Sequence, residues 1–421
     1  MGMTIIEKIL ARASGAKEIR AGDLAVVNVD TAVILDTNFY WTVRRDIKRL
    51  HDPEKVVIIY DHMVPAPDQT AAEAHKYGRE FAKRFGIRRF HDIGARQGIS
   101  HAVVADNAYA LPGSVLVCSD SHTCAAGAFN AAARGIGAPD MVYVLTTGQT
   151  WFQVGETIRY DLVGELQPGI SAKDIFLHLA GIYGDHANQN IEFGGPALAG
   201  LSLNARRTLA TMGAELSAEF VTFEADARLT EYVSARNPAA FEAQAPDADA
   251  VYGARHSIDL SRIEPLVALP DTVVKNSVAL DAVAGQSIHQ AFIGSCANGT
   301  LDDLAEAARV VAGQQVAPGV RFIVTPGSQA IYNDALRAGY VQTLMDAGAI
   351  VTTATCGACF GGHMGVLAPG EICITASTRN FKGRMGDPTS RIFMASPATV
   401  AASAVAGTIV AAGRQHEGSA T

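Results

Sequence analysis

Five short apolar runs constrain this chain more than any other feature. They lie at 56–60, 114–118, 141–145, 322–324 and 372–374, are rich in Val and Ile, and end in polar or small residues. Unbroken apolar runs of this length suit strands buried on both faces. Helical patterns lie between them. In 69–86, Tyr77, Phe81 and Phe85 recur every four residues and would face a core. Thr300 with Asp303 reads as a helix cap and an acid at the third helical position. Strands alternating with helices predict an α/β fold with parallel sheets. With 421 residues, 48% of them hydrophobic and 18% charged, there is apolar mass for several cores, which excludes a disordered chain.

We expect three domains: an α/β domain over 1–156, a second over 157–286, and a third over 287–421 that holds most of the cysteines. The middle segment carries the Gly-rich turn at 193–196 and an Ala/Pro/acid-rich stretch at 237–249. The N-terminal residues lack the apolar core of a signal peptide and read as a short amphipathic helix. The uncharged stretch 395–413 is dominated by small residues, and Ser396-Pro397 would open it as a buried helix. A cytoplasmic protein without a membrane span is therefore expected. The formal charge of −8, without a basic cluster, gives a nucleic-acid surface no electrostatic support. Six cysteines in so long a chain do not make a disulfide framework.

Reactive residues gather after the predicted strands, where open parallel sheets bind ligands. They are Asp61-His62, the segment 118–124 with Asp120-Ser121-His122, Cys296 within 293–298, and Cys356 with Cys359, leading on to Arg379 and Arg384. A CxxC pair plus one distant cysteine could bind an iron–sulfur cluster and leave one iron open to substrate as a Lewis acid. Zinc with Cys373 as fourth ligand, or a redox dithiol, fits the same spacing. Cys118 and Cys124 read as packing residues. A positioned His can protonate a leaving hydroxyl, although Asp61 and His62 would touch only if their strand ends before them. Arg379 and Arg384 suit bidentate recognition of carboxylates. The run 135–140 is a fragment of a dinucleotide pattern and carries little weight.

Taken together, these segments resemble the aconitase family of iron–sulfur hydro-lyases. DSHT at 120–123, GSCAN at 294–298, CGACFGGHMGVLAPGE at 356–371 and RNFKGRMG at 379–386 follow the family order over nearly the whole chain. The resemblance is strongest to the large subunits of 3-isopropylmalate dehydratase and homoaconitase. It implies an aconitase-like architecture of three α/β/α domains around a [4Fe-4S] cluster ligated by Cys296, Cys356 and Cys359. It further implies catalytic roles for Asp61, His62, His101, Asp120, Ser121, His122 and Glu215, and substrate contacts by Arg379, Arg384 and Ser121. The family's fourth, swivelling domain, with its base serine, finds no counterpart before Thr421, so a small subunit is the implied partner.

Three positions depart from the family pattern. Leu35 and Thr211 stand where a polar residue and Asn are usual, and Thr378 stands where Asn usually precedes Arg-Asn-Phe. Bulky Trp41 lies near the first of them. The resemblance implies dehydration and rehydration of a hydroxy di- or tricarboxylic acid, with leucine biosynthesis as the default pathway. Homoaconitate, 2-methylmalate and 2,3-dimethylmalate stay open as substrates. A non-catalytic, cluster-sensing binding protein and a zinc-stabilised scaffold are the rival readings.

Overall fold

The strand Thr31–Leu35 is buried along its whole length and lies at the centre of a five-stranded parallel sheet. The computed structural model describes residues 2–40 and 47–412, so Trp41 lies outside the described residues. The spatial order of the sheet is Arg89–His91, Val56–Ile59, Thr31–Leu35, Val115–Cys118 and Ala132–Gly135. In chain order this is third, second, first, fourth, fifth. The winding direction reverses between Thr31–Leu35 and Val115–Cys118, which opens a crevice beyond the carboxyl ends of those strands.

The same order recurs later in the chain. Arg391–Met394, Ile372–Thr375, Gln290–Ile293, Arg321–Val324 and Ile350–Val351 are neighbours in that order and all parallel. Here the reversal falls between Gln290–Ile293 and Ile372–Thr375. Two antiparallel strands, Leu266–Ala268 and Ser277–Ala279, extend this sheet to seven. A parallel four-stranded sheet spans 156–259, and a two-stranded ribbon pairs Leu24–Asn28 with Gln149–Gln153.

By internal packing the chain divides into two units, Met1–Glu165 with His186–Leu260, and Leu166–Asp185 with Ser261–Thr421. Each has its own core. The first is built around Ile5, Ile9, Ile34, Ile58 and Val117, the second around Ile293, Leu304, Phe322, Ile374 and Val400.

Several sequence expectations appear as drawn. The helix Gln69–Phe85 buries Phe81 and is closed by Gly86, and a Thr300–Asp303 capping box opens Leu301–Val311. Thr4 caps the N-terminal helix Ile5–Ser14. Ser396-Pro397 starts the helix Pro397–Ala406, whose first eight residues are buried. No helix among the described residues is long and apolar enough to cross a membrane.

One expectation is corrected. The run 141–145 is not a strand but the middle of the helix Ala138–Thr147. Met141, Val144 and Leu145 are buried while Tyr143 is half exposed, which is helical rather than strand spacing. Pro139 in the first turn and a left-handed Gly148 at the end fix its limits.

Candidate active site

Within the first unit, the groups at the reversal point form two hydrogen-bonded sets that meet where His62 faces Asp120. Val56–Ile59 ends two residues before Asp61, so Asp61 and His62 leave the alternation of the strand and meet. Asp61 Oδ1 lies 2.7 Å from His62 Nδ1, and Asp61 Oδ2 accepts the Ser100 N–H at 2.9 Å. Burial pushes the Asp61 carboxyl up, against the pull of His62 and the Ser100 amide. The other imidazole nitrogen, His62 Nε2, is 3.8 Å from Asp120 Oδ2.

Asp120, two residues beyond Val115–Cys118, is the hub. Its Oδ1 is 2.9 Å from His101 Nε2 and accepts the His122 N–H at 2.8 Å. Burial alone would raise this carboxyl, but the hydrogen bonds and charges of His101 and His122 hold it well below the usual range. His122 Nε2 in turn lies 2.9 Å from Glu215 Oε1, on the short helix Gly213–Leu216. Burial opposes the charged imidazole of His122, yet Asp120 and Glu215 raise its pKa. Ser121 is the exposed first residue of the helical segment that follows Asp120.

Within the second unit, the thiols follow the strands of the repeated topology. Gln290–Ile293 ends at Gly294, where an added Cβ would stand 2.9 Å from the Phe292 ring and from the Thr325 carbonyl. Ser295 is held at φ +68°, and this tight turn places buried Cys296. Gly357, at φ +61°, does the same between buried Cys356 and Cys359, since a Cβ there would come within 2.8 Å of Thr325 Oγ1. Arg384 Nη2 lies 3.7 Å from Cys359 Sγ, and Thr378 Oγ1 lies 3.5 Å from the same sulfur. Burial would lower the Arg384 pKa, but Cys359, Cys296 and Cys356 together raise it, so one guanidinium senses all three sulfurs. The Phe381 ring lies 5.9 Å from the Arg379 guanidinium carbon and 5.5 Å from that of Arg384. Asp387 Oδ1 accepts the Thr389 N–H at 2.8 Å and its hydroxyl at 2.5 Å.

The remaining cysteines differ in character. Burial raises Cys118 well above the usual thiol range and pushes Cys124 and Cys373 up to about 12. They stay protonated at neutral pH, which disfavours them as metal ligands. Cys373 lies inside the strand Ile372–Thr375 and its Sγ donates to the Ile374 carbonyl at 3.5 Å, which disfavours it as the fourth ligand of the zinc alternative. Around Cys296, Cys356 and Cys359, buried Arg384 Nε, Ser295 Oγ and Ser377 Oγ have no hydrogen-bond partner among the described residues. Thiolate donors with spare buried polar atoms fit an iron–sulfur cluster, whose sulfurs accept hydrogen bonds.

The three departures from the family pattern have local explanations. Leu35 is buried, and its amide donates to Asn38 Oδ1 at 2.7 Å. Thr211 donates its hydroxyl to the Arg207 carbonyl at 2.6 Å, turned back on its own helix. Thr378 reaches Cys359 directly. Sequence reasoning missed Lys173. This fully buried cation donates to the Ser377 carbonyl at 3.0 Å, one residue before Thr378. A lysine inside an amphipathic helix gives no signal of that kind in sequence.

The model of the aconitase family (aconitate hydratase) matches residues 40–407. The 3-isopropylmalate dehydratase large subunit of Mycolicibacterium smegmatis is 54% identical over 97% of this chain and 96% of its own length. A probable methanogen homoaconitase large subunit of Methanothermobacter thermautotrophicus is 42% identical over 99% of both. Among solved structures, Thermococcus kodakaraensis aconitase X in its holo form is similar in fold, with a TM-score of 0.51 at 13% identity over 91% of each chain. On the extent of the family match and the identity to these relatives, the chain belongs to the aconitase family.

Proposed function

We propose that this chain is the cluster-bearing large subunit of a hydro-lyase that dehydrates and rehydrates a hydroxy dicarboxylic acid of the 3-isopropylmalate kind. The hydro-lyase class follows from the family and from the dehydratase names of its relatives. The observation that carries the mechanism is the bracketing of His62, with Asp61 at 2.7 Å from Nδ1 and Asp120 at 3.8 Å from Nε2.

A [4Fe-4S] cluster held by Cys296, Cys356 and Cys359 would supply a Lewis-acid iron that polarises the substrate hydroxyl. Asp61 fixes the ring of His62 and directs Nε2 toward the departing hydroxyl, which His62 protonates. The buried carboxylate of Asp120 stabilises the charged imidazole beforehand and, linked through His122 to Glu215, offers a route by which His62 regains the proton it has given to the hydroxyl. His101 orients Asp120 from its other side. Arg384 and Arg379, both beside the Phe381 ring, bind substrate carboxylates. Ser121, exposed beside Asp120, donates to the substrate.

The base that removes the proton from the neighbouring carbon comes from a small subunit, in line with the large-subunit names of the relatives. The methanogen relative, 42% identical over 99% of this chain, keeps homoaconitate as the second candidate.

The test is an anaerobic hydration assay of alkyl-maleate and aconitate analogues, using the chain co-expressed with its small subunit. We expect the alkyl-maleates to turn over fastest and the isolated chain to turn over none. Turnover by the isolated chain, or of no compound by the pair, would overturn the proposal.

A further inference from the structure

The turn Asp36–Phe39 follows the central strand Thr31–Leu35, and so lies between the neighbouring strands that carry His62 and Asp120. Its side chains reach both ways. Asp36 is fully buried, and its Oδ1 accepts the amide N–H groups of Asp61 at 3.3 Å and His62 at 3.2 Å. Its Oδ2 accepts the Met63 N–H at 2.7 Å and lies 3.6 Å from His75 Nε2. One carboxylate thus holds three successive amides of the loop that carries the imidazole. On the opposite side, Asn38 Oδ1 accepts the Ser119 hydroxyl at 2.5 Å, one residue before Asp120. The same oxygen accepts the Leu35 N–H at 2.7 Å, which fixes the amide plane.

We infer that this turn is a positioning device in which Asp36 and Asn38 set the separation of His62 from Asp120. The inference rests on the proposed hydro-lyase reading, because only there are those two groups part of the reaction. Neither Asp36 nor Asn38 needs to touch the substrate. The adjacent strands meet the reversal point from opposite sides, and this turn hydrogen-bonds to both of their loops, as the Ser100-His101 segment does through Asp61 and Asp120. A buried carboxylate is costly unless its lone pairs are used, and here they are spent on the backbone of a catalytic loop. A displacement of about 1 Å of one partner would reduce proton transfer far more than it would change substrate binding.

The experiment uses the cluster-loaded enzyme with its small subunit. Asn38→Ala and Ser119→Ala each remove the same hydrogen bond from one end. Each should lower kcat by roughly 10–100-fold with KM changed by less than about threefold and with the cluster spectrum unaltered. The double variant should be no worse than the single ones, and Ser119→Thr, which keeps the hydroxyl, should restore most of the rate. Half-buried Ser119 tolerates trimming, so its variants decide the matter even where Asn38→Ala fails to fold. Wild-type kcat in Ser119→Ala, or a loss confined to melting temperature, would overturn the inference. His62→Gln is measured alongside. If it is slow while Ser119→Ala is normal, only the positioning role falls. If it too is normal, the role of His62 falls and the inference with it.

Discussion

Replacing Cys296, Cys356 or Cys359 singly by Ser should abolish the broad iron–sulfur absorbance of anaerobically isolated protein. Cys118→Ser, Cys124→Ser and Cys373→Ser should leave it in place. The division follows from the surroundings of each sulfur. The first three sit on turns beyond strand ends, and the Arg384 guanidinium is raised by their combined charge. The other three are kept protonated by burial. Serine cannot substitute, because its hydroxyl is a poor soft donor and loses its proton far less readily than a thiol. Loss of the absorbance in Cys118→Ser with retention in Cys296→Ser would reverse the ligand set. Loss of bound metal in Cys373→Ser would restore the zinc reading.

Asp120→Asn should lower kcat/KM by roughly 10²–10⁴-fold while leaving the iron–sulfur spectrum unchanged. The substitution keeps the shape but removes the charge that His101, His122 and His62 share. The amide can no longer stabilise a charged His62, nor pass a proton toward Glu215. The variant should also change the pH dependence of stability. The folded carboxyl of Asp120 lies well below its ordinary value, so its ionisation stabilises the fold above the unfolded pKa of about 3.9. That stabilisation is lost as the pH falls through the depressed folded value. Asp120→Asn should therefore unfold less steeply below about pH 4 than the wild type, as followed by thermal melts across the acid range. Retained turnover in Asp120→Asn would remove this carboxylate from the mechanism.

How much of this was legible in the sequence varies from element to element. Apolar runs located the strands Val56–Ile59, Val115–Cys118, Arg321–Val324 and Ile372–Thr375, because strands buried on both faces need no alternation. The same signal misplaced 141–145, since a short apolar run does not distinguish a strand from a helix. There Pro139 and Gly148 carried the information.

Family motifs pointed to the site residues, but local spacing did not predict their contacts. His122 meets Glu215 across 93 positions of sequence, through folding that no local pattern encodes. Whether Asp61 would touch His62 depended on a strand ending at Ile59, a matter of two residues. Asp36 and Asn38 went unread because an acid and an amide just after a strand look like ordinary turn residues. Cys373 shows the reverse case. Its composition suggested a ligand, and only its place inside a central strand shows that it is core.

The central claim is that three thiolates of this chain hold an iron–sulfur cluster and leave one iron for the substrate. Mössbauer spectroscopy of the anaerobic enzyme, loaded with isotopically enriched iron and paired with its small subunit, tests it directly. One iron site should change its parameters when an alkyl-maleate is added, with the rest of the spectrum unmoved. A spectrum that substrate leaves wholly unchanged, or a protein that holds zinc and no sulfide, would contradict it.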